Sequence, residues 1–575
     1  MKKILSIFLV LAMCTSALLS LTSCEPKDAG AEISVNLGNN VYDFDPTDYY
    51  EDTNADQLMS LLYEPLFRLG SNGKLEYGIA KSYEIDEDQN KIVIQLRESY
   101  WSDEIRVKAA DFIYSWRDVI LEPNNPNPAA ALLYDIENAV EIKSGTKSIY
   151  EFGATATDVY EITIQCREGA NYDRLLANLA AINTSPLRED IVSQAKTYWS
   201  KSLSIIVSNG PFKINSINYE TGEFSISRNL GYHQPSSAKN YTSKVTPSIL
   251  YTFISADGES LNLTYSDVED KTVFYLANTS LEDRAENEAN ATVANDLSTY
   301  SYVFNVKNPL FAIPEVRKAL SLALNREEMA KAVVFATAAN GFIPTVMSGL
   351  ENDRISTGEN IDEAKELLKN VNFNGLSKVF TLTINDDAAS VAMAELAKAS
   401  WRELGFTVSI NKLSAKKTTI YDSISDDNIE IVDSAIQVLL KEAAYGNCNF
   451  DVIGINWQMY SNDPFVALCS FTSHMNGNGV DCTKGTNRLN ISGWWSAEYD
   501  VLMNAAYNAK TEEDRENAIN KAEELLLESA PIIPVVYNTS FAFVNEDLKN
   551  VRVDGFGNFV LTKIKLKDYE KYLEQ

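Results

Sequence analysis

Histidine is nearly missing from this 575-residue chain, which carries only His233 and His474. A Ser-His-Asp or Cys-His centre needs an imidazole with an orienting partner, and zinc sites draw on several His or Cys. Both classes are disfavoured. Cysteine is sparse as well: six residues, too scattered for a disulfide scaffold. Cys14 and Cys24 lie at the start, leaving Cys166, Cys448, Cys469 and Cys482, of which Cys469 and Cys482 are close enough in sequence to pair. The run Cys469, His474, Cys482 fits no zinc spacing. The acidic stretch Asp86–Asn90 would be a poor calcium loop, because Lys91 stands where Gly is required and Arg97 where Glu is required. It reads as a hairpin turn. No metal or cofactor is expected. Cations are also short, with 50 Lys and Arg against 80 Asp and Glu, a net charge of −30. Phosphate contacts need clustered Lys and Arg, so nucleic acid is not an expected partner. An anionic membrane surface would repel such a chain.

Long apolar runs are absent except at the start. Lys2-Lys3 precede an almost unbroken apolar stretch from Ile4 to Leu21, which ends in Leu21-Thr22-Ser23-Cys24. A basic start, an apolar core and small residues before the cut make a secretory signal. The small pair directly before Cys reads as a bacterial lipobox. Residues 1–23 are then a lipoprotein signal peptide, Cys24 carries the lipid, and residues 24–31 form a tether. The protein would sit as a cell-surface lipoprotein on the outer face of the cytoplasmic membrane, each buried CH₂ of its acyl chains contributing about 0.8 kcal/mol.

The remainder has a globular composition, 45% hydrophobic and 23% charged. Its length exceeds what one core usually supports, so two or three domains are expected. Ile33–Leu37, Tyr83–Ile85, Ile92–Leu96, Tyr160–Ile164, Phe212–Ile214, Phe224–Ile226 and Thr299–Phe304 alternate as strands. Asp56–Tyr63 and Asp111–Ile120 read as helices, the second with Phe112, Trp116 and Val119 on one face. Pro314 opens another helix, and Asn325 caps the next with Glu328 three residues on. Residues 412–449 are polar and poorly periodic, and look inserted. Ala506–Glu528 reads as one amphipathic helix, ended by Pro531 and Pro534 before the buried strand Val535–Tyr537. Strands and helices interleave throughout, which makes the class α/β, mixed with α+β.

Several segments in order resemble the extracytoplasmic solute-binding proteins of ABC importers, in the oligopeptide/dipeptide/nickel-binding family. They are Tyr63–Phe67, the hairpin Gly78–Arg97, Trp101-Ser102-Asp103 with Ala109–Trp116, Ser208–Phe212, Val316–Arg326, Phe450–Trp457 with Asp463-Pro464, and Ala522–Tyr537. The resemblance implies a two-lobed periplasmic-binding-protein-like fold with three domains and a cleft between lobes. Domain I would comprise 32–65, 191–298 and 531–575, domain II 66–190 in the same lobe, and domain III 299–530 in the other. Two crossing strands would form the hinge, near 296–300 and 528–532. A monomer is expected, with an oligopeptide as ligand and permease subunits as partners, and no catalysis.

The family holds peptides mainly through their backbone, with an acid that pairs the amino terminus. Counted without gaps, that acid falls at Tyr460, and an Arg used at the carboxyl end in some members falls at Gly454. Both charged anchors are therefore replaced, and a buried unpaired ammonium is costly. Asp463 or Asp52 is the expected substitute. The resemblance further points to Asn209 and Gly210 as amide donors, to Trp457 and Tyr460 as aromatic walls, and to Tyr537 with Asn538. Trp494-Trp495 reads as structural. Two alternatives remain open. The same receptor could take an oligosaccharide, since aromatic stacking without charged anchors suits sugar rings, whereas nickel is disfavoured by two His. A surface glycoside hydrolase using paired carboxylates is the more distant reading.

Overall fold

The computed structural model describes residues 31–37, 43–48, 53–195, 198–203, 205–218, 223–233, 249–253, 263–277, 279–347, 354–414, 416–422, 426–444, 449–477, 490–568 and 572. Cys24, Asp52, Cys448 and Cys482 lie outside them, so the lipid attachment, one proposed acid and the Cys469–Cys482 pairing are not placed. Cys166 and Cys469 are buried free thiols.

One mixed sheet runs through the whole molecule. Its order is Thr407–Leu413, Val379–Asn385, Val452–Gln458, Ala291–Phe304, Ile532–Val544, Tyr275–Leu276, Glu32–Asn36, Ile249–Phe253, Glu223–Arg228 and Phe212–Asn218, with Ala336–Ala338 paired beside Ile532–Val544. Two long strands join the lobes. Thr299–Val303 pair with Ile532–Tyr537 in the second lobe, while Ala291–Asn295 pair with Thr539–Phe543 in the first, and the register slips between Asn295 and Thr299. The first crossing is where the sequence suggested. The second is at 537–539 rather than 528–532, because helix Glu512–Ser529 ends in a left-handed Ala530 and the strand spends its first half inside the second lobe.

The first lobe carries a separate antiparallel sheet of Ala80–Asp86, Lys91–Leu96, Glu161–Gln165 and Ala154–Asp158. Alternation decides its faces: Ile92, Ile94, Leu96, Ile162 and Ile164 are buried while their neighbours are not. The acidic turn is a short 3₁₀ segment, with Asp86 accepting from the Gln89 amide and Asn90 in the left-handed region. A helical stretch, Ala109–Ile113 continuing through a π-type turn to Ile120, buries Phe112 and Trp116. The Trp116 indole N–H donates to the Thr184 carbonyl at 2.8 Å, and the Ser115 hydroxyl to the Ser185 carbonyl at 2.7 Å. These bonds pin the loop around residue 183, which faces the other lobe.

In the second lobe, Asn325 caps Arg326–Val333 by accepting from the Glu328 amide at 3.0 Å. The expected helix 506–528 is two, Ala497–Tyr507 and Glu512–Ser529, because Thr511 caps the second through the Asp514 amide. The stretch read as an insertion holds a hairpin, Lys416–Asp422 with Asp427–Asp433, and a helix, Ala435–Ala444. No helix among the described residues is long and apolar enough to cross a membrane.

The candidate ligand-binding cleft

The lobes touch. From the first lobe, Arg174 on helix Tyr172–Asn178 holds Asp135 at 3.1 Å and reaches Asp463 across the gap at 3.6 Å. Arg515 takes both Asp463 oxygens at 2.7 Å from the second-lobe side. The Ser461 hydroxyl donates to Asn178 at 2.6 Å, the Tyr507 hydroxyl to the Tyr134 carbonyl at 3.0 Å, and the Tyr134 hydroxyl to the Met475 carbonyl at 3.1 Å. The Arg167 guanidinium lies 4.1 Å over the Tyr507 ring. This is a closed arrangement.

Behind that latch, toward the crossing strands, lies a cavity of about 610 Å³. Segments far apart in sequence wall it, among them the end of helix Thr53–Leu62 with Tyr63, Glu64 and Arg68, the loop Ala180–Asn183, the pair Tyr232-His233, the strand end Gln458–Tyr460, and the C-terminal stretch 552–563. Three polar atoms in this wall are buried without a hydrogen-bond partner: the Tyr63 hydroxyl, the Asn183 side-chain amide nitrogen and the Gln458 side-chain carbonyl. Buried polar groups are almost always paired, and these three are exceptions in residues that line the cavity.

One wall is a buried ionic network. Glu64 receives Arg68 at 2.6 Å, the Tyr232 hydroxyl at 2.8 Å, and the His233 Nε2–H. Burial alone would raise the Glu64 pKa; Arg68 and His233 outweigh it and hold it at about 2. Burial pushes the His233 pKa down against the pull of Glu64, with Arg97 and Arg68 adding to the fall, so the imidazole stays neutral. Asn209 and Gly210 clamp this network. The Asn209 side chain accepts from the Glu64 amide at 3.1 Å and donates to the Glu64 carbonyl at 2.8 Å, and the Gly210 N–H donates to the Leu62 carbonyl at 2.8 Å. A Cβ on Gly210 would lie 2.6 Å from that carbonyl.

The expected site residues therefore divide. Tyr460 lines the cavity. Asn209 and Gly210 stand behind it; the Gly210 amide is spent on Leu62 and cannot serve a ligand. Trp457 is not a cavity wall. Its ring packs between Phe342 and Phe471, each at 5.1 Å, in the second-lobe core, because alternation along Val452–Gln458 turns it away from Gln458. Tyr537 is turned into the same lobe, donating to Asn340 at 2.9 Å and Gly341 at 3.1 Å, and Asn538 ties the crossing strands through Ser298 at 2.8 Å. Asp463 is held by two guanidiniums, and it also caps helix Pro464–Cys469. Trp494 is structural, edge-on to Tyr499 at 5.3 Å.

Sequence reasoning missed Glu64, Tyr232 and His233. One signal was available: Glu64 is a lone charge amid Leu61, Leu62, Tyr63, Pro65, Leu66 and Phe67, and a charge so placed demands a buried partner.

Residues 74–479 match the bacterial extracellular solute-binding proteins, family 5. The oligopeptide-binding protein OppA of Bacillus subtilis is 24% identical over 86% of this chain and 85% of its own. The crystal structure of Haemophilus influenzae OppA in complex with the peptide RPPGFSPFR superposes with a TM-score of 0.74 at 22% identity, over 93% of this chain and 99% of that one. The murein tripeptide binding protein MppA of Escherichia coli gives a TM-score of 0.74 at 20% identity, over 93% and 98%, and an unliganded open form of MppA gives 0.56 at 20% over 93% and 97%. With more than half its length matched to one family and its two lobes to that family's structures, the chain belongs to the family 5 bacterial extracellular solute-binding proteins.

Proposed function

We propose that the protein is an extracytoplasmic receptor that captures oligopeptides between its lobes and hands them to an ABC permease. It works as a monomer without catalysis, tethered by lipid on Cys24. What supports the ligand class is a cavity of about 610 Å³ reached by both lobes, in a fold shared with a Haemophilus influenzae OppA solved in complex with the peptide RPPGFSPFR. The oligosaccharide reading leaned on Tyr460 beside Trp457; Tyr460 lines the cavity, whereas the Trp457 ring is packed into the second-lobe core.

Purification from the native host followed by mass spectrometry of what elutes on denaturation tests this directly. Short peptides are expected. Adding them back to stripped protein should raise the melting temperature by mass action and shrink the radius of gyration. A co-purifying sugar, with no peptide raising the melting temperature, would overturn the peptide reading.

The anchor is tested separately. Cys24→Ala should move the protein from the membrane to the soluble fraction. Retention on membranes after a high-salt wash would exclude the lipid as the attachment.

A further inference from the structure

A short second-lobe segment reaches across the hinge at the edge of the crossing strand Ile532–Val544. Ala336–Ala338 pair with residues 536–538 and so travel with the second lobe. Helix Arg326–Val333, just before them, is fixed in that lobe: Arg326 donates to the Pro534 carbonyl at 2.8 Å, and Met329, Ala330 and Val333 are buried in its core. Phe335 stands between that helix and that strand, yet its ring packs on the other lobe. It stacks on Phe541 at 4.2 Å with the planes 20° apart, and lies 6.2 Å from Phe543. Phe541 and Phe543 sit opposite Val293 and Ala291 in the first-lobe half of the sheet. Their cluster includes Tyr265, Val268, Val273 and Leu276, and among the described residues Phe335 is its single member from the second lobe.

A ring packed in a core needs no special account, but the turn that delivers this one does. Val334 has φ +63° and ψ −117°, and among the described residues it is the one β-branched residue with a positive φ. That region suits glycine, and a β-branched side chain is strained there. Such strain persists only where the surroundings over-determine it. Here the Val334 N–H donates to the Lys331 carbonyl at 3.3 Å, and the Phe335 carbonyl accepts the Thr539 amide at 3.2 Å. The crossing at 537–539 lies between the strand that carries Phe335 and the rings it meets, so rotation of the lobes moves Phe335 against Phe541. With Arg174 engaged on Asp463, the two rings are stacked. None of Val334, Phe335, Phe541 and Phe543 lines the cavity.

We propose that Val334 and Phe335 form a conformational device that sets ligand affinity from outside the cavity. Docking of the Phe335 ring on Phe541 stabilises the closed form. The strained turn at Val334, needed only while the ring is docked, opposes it and relaxes when the lobes part and the ring withdraws. The two effects subtract, so the closed form is little favoured until a ligand adds contacts to both lobes. Apparent affinity scales with the closed fraction, and this edge of the hinge adjusts that fraction without touching the ligand. The device rests on the closure of two lobes and is independent of which ligand the cavity takes.

Calorimetry on stripped protein with the peptides eluted from the native preparation, and solution scattering without them, test the device. Val334→Gly keeps the ring and removes the strain, so it should bind about 5-fold tighter and give a smaller ligand-free radius of gyration. Phe335→Ala should bind about 5-fold more weakly and give a larger radius. Phe335→Leu, which keeps apolar volume, should shift both readouts in the same direction and covers the case in which Phe335→Ala does not fold. In the double variant Val334→Gly with Phe335→Ala the gain at 334 should vanish, because the turn is already free to relax. A ring that merely fills the first-lobe core would lower the melting temperature when removed and leave affinity untouched by Val334→Gly. Unchanged affinity in Val334→Gly, or a gain that survives loss of the ring, overturns the device. If no peptide elutes, the radii decide alone: that of Val334→Gly should fall below that of the Phe335 variants, and equal radii overturn it.

Discussion

Glu64→Gln is expected to destabilise the protein by about 3 kcal/mol at neutral pH, the low end of the cost of stripping one partner from a buried ion pair. Arg68 would lose its carboxylate while still 29% exposed, and that residual hydration keeps the cost from rising further. The sign of the pH dependence follows from the direction of the shift. The Glu64 pKa is about 2 in the folded protein against an ordinary 4.5, so its contribution is present in full above about pH 4.5 and fades as pH falls through 2. The stability gap between wild type and variant, from urea titrations at pH 7 and pH 3, should narrow on acidification. The gap is the right quantity to follow, because Asp45, Asp296 and Asp554, raised to about 7 by burial first, act oppositely and cost stability as pH rises toward neutrality. Equal unfolding midpoints at pH 7 would show that the network around Glu64 holds nothing together.

The second large effect is expected at Asp463. Asp463→Ala should leave Arg515, which is 8% exposed, with Glu512 at 3.6 Å as its remaining ion pair and Arg174 beside it, at a cost of roughly 3 kcal/mol in the closed form. Part of that falls on closure alone, because Arg174 comes from the opposite lobe. Arg174→Ala probes this part: it keeps Asp463 with Arg515, leaves Asp135 its second partner Arg167 at 2.7 Å, and should weaken ligand binding about 10-fold by lowering the closed population. The outcome also separates a latch from an ammonium anchor. A latch predicts equal losses for free-amine and N-acetylated peptides; an anchor predicts a loss confined to the free amine. A selective loss in Asp463→Ala would identify Asp463 as the ammonium partner.

Much of the fold could be read from the chain. The hairpin 80–96 and the strand 161–165 were visible because one face is dry and the period of two is unbroken. The cap at Asn325 was visible because capping is local chemistry. The stretch 416–444 was not, since its hairpin is a two-stranded ribbon outside the main sheet, so burial imposes little alternation on it. The crossing at 537–539 was hidden for a different reason: Ile532–Tyr537 is equally apolar in either lobe. The site was least legible. Asp56, Asn183, Gln458 and Asp554 each look unremarkable alone, and only the register of the long strands brings them to one cavity. Motif position misled at Trp457, where strand alternation decided the direction of the ring. Asp463 was visible as an acid, but its two arginines, at 174 and 515, carry no sequence mark of the pairing.

The long sheet also dictates an order of assembly. Its central place, between Tyr275–Leu276 and Ala291–Phe304, is filled by Ile532–Val544, so roughly 230 residues separate two strands that must lie side by side. Contacts of such span are slow to find. The intervening stretch has its own strands and most of a core around Trp401 and Phe311, which the late strand completes with Ile533, Val535 and Val536. Until the late strand arrives, the first lobe has a gap through its middle and two unpaired strand edges. A chain interrupted before residue 532 would lack the strand that completes both lobes, and the cavity would lack the 552–563 wall that carries Asp554.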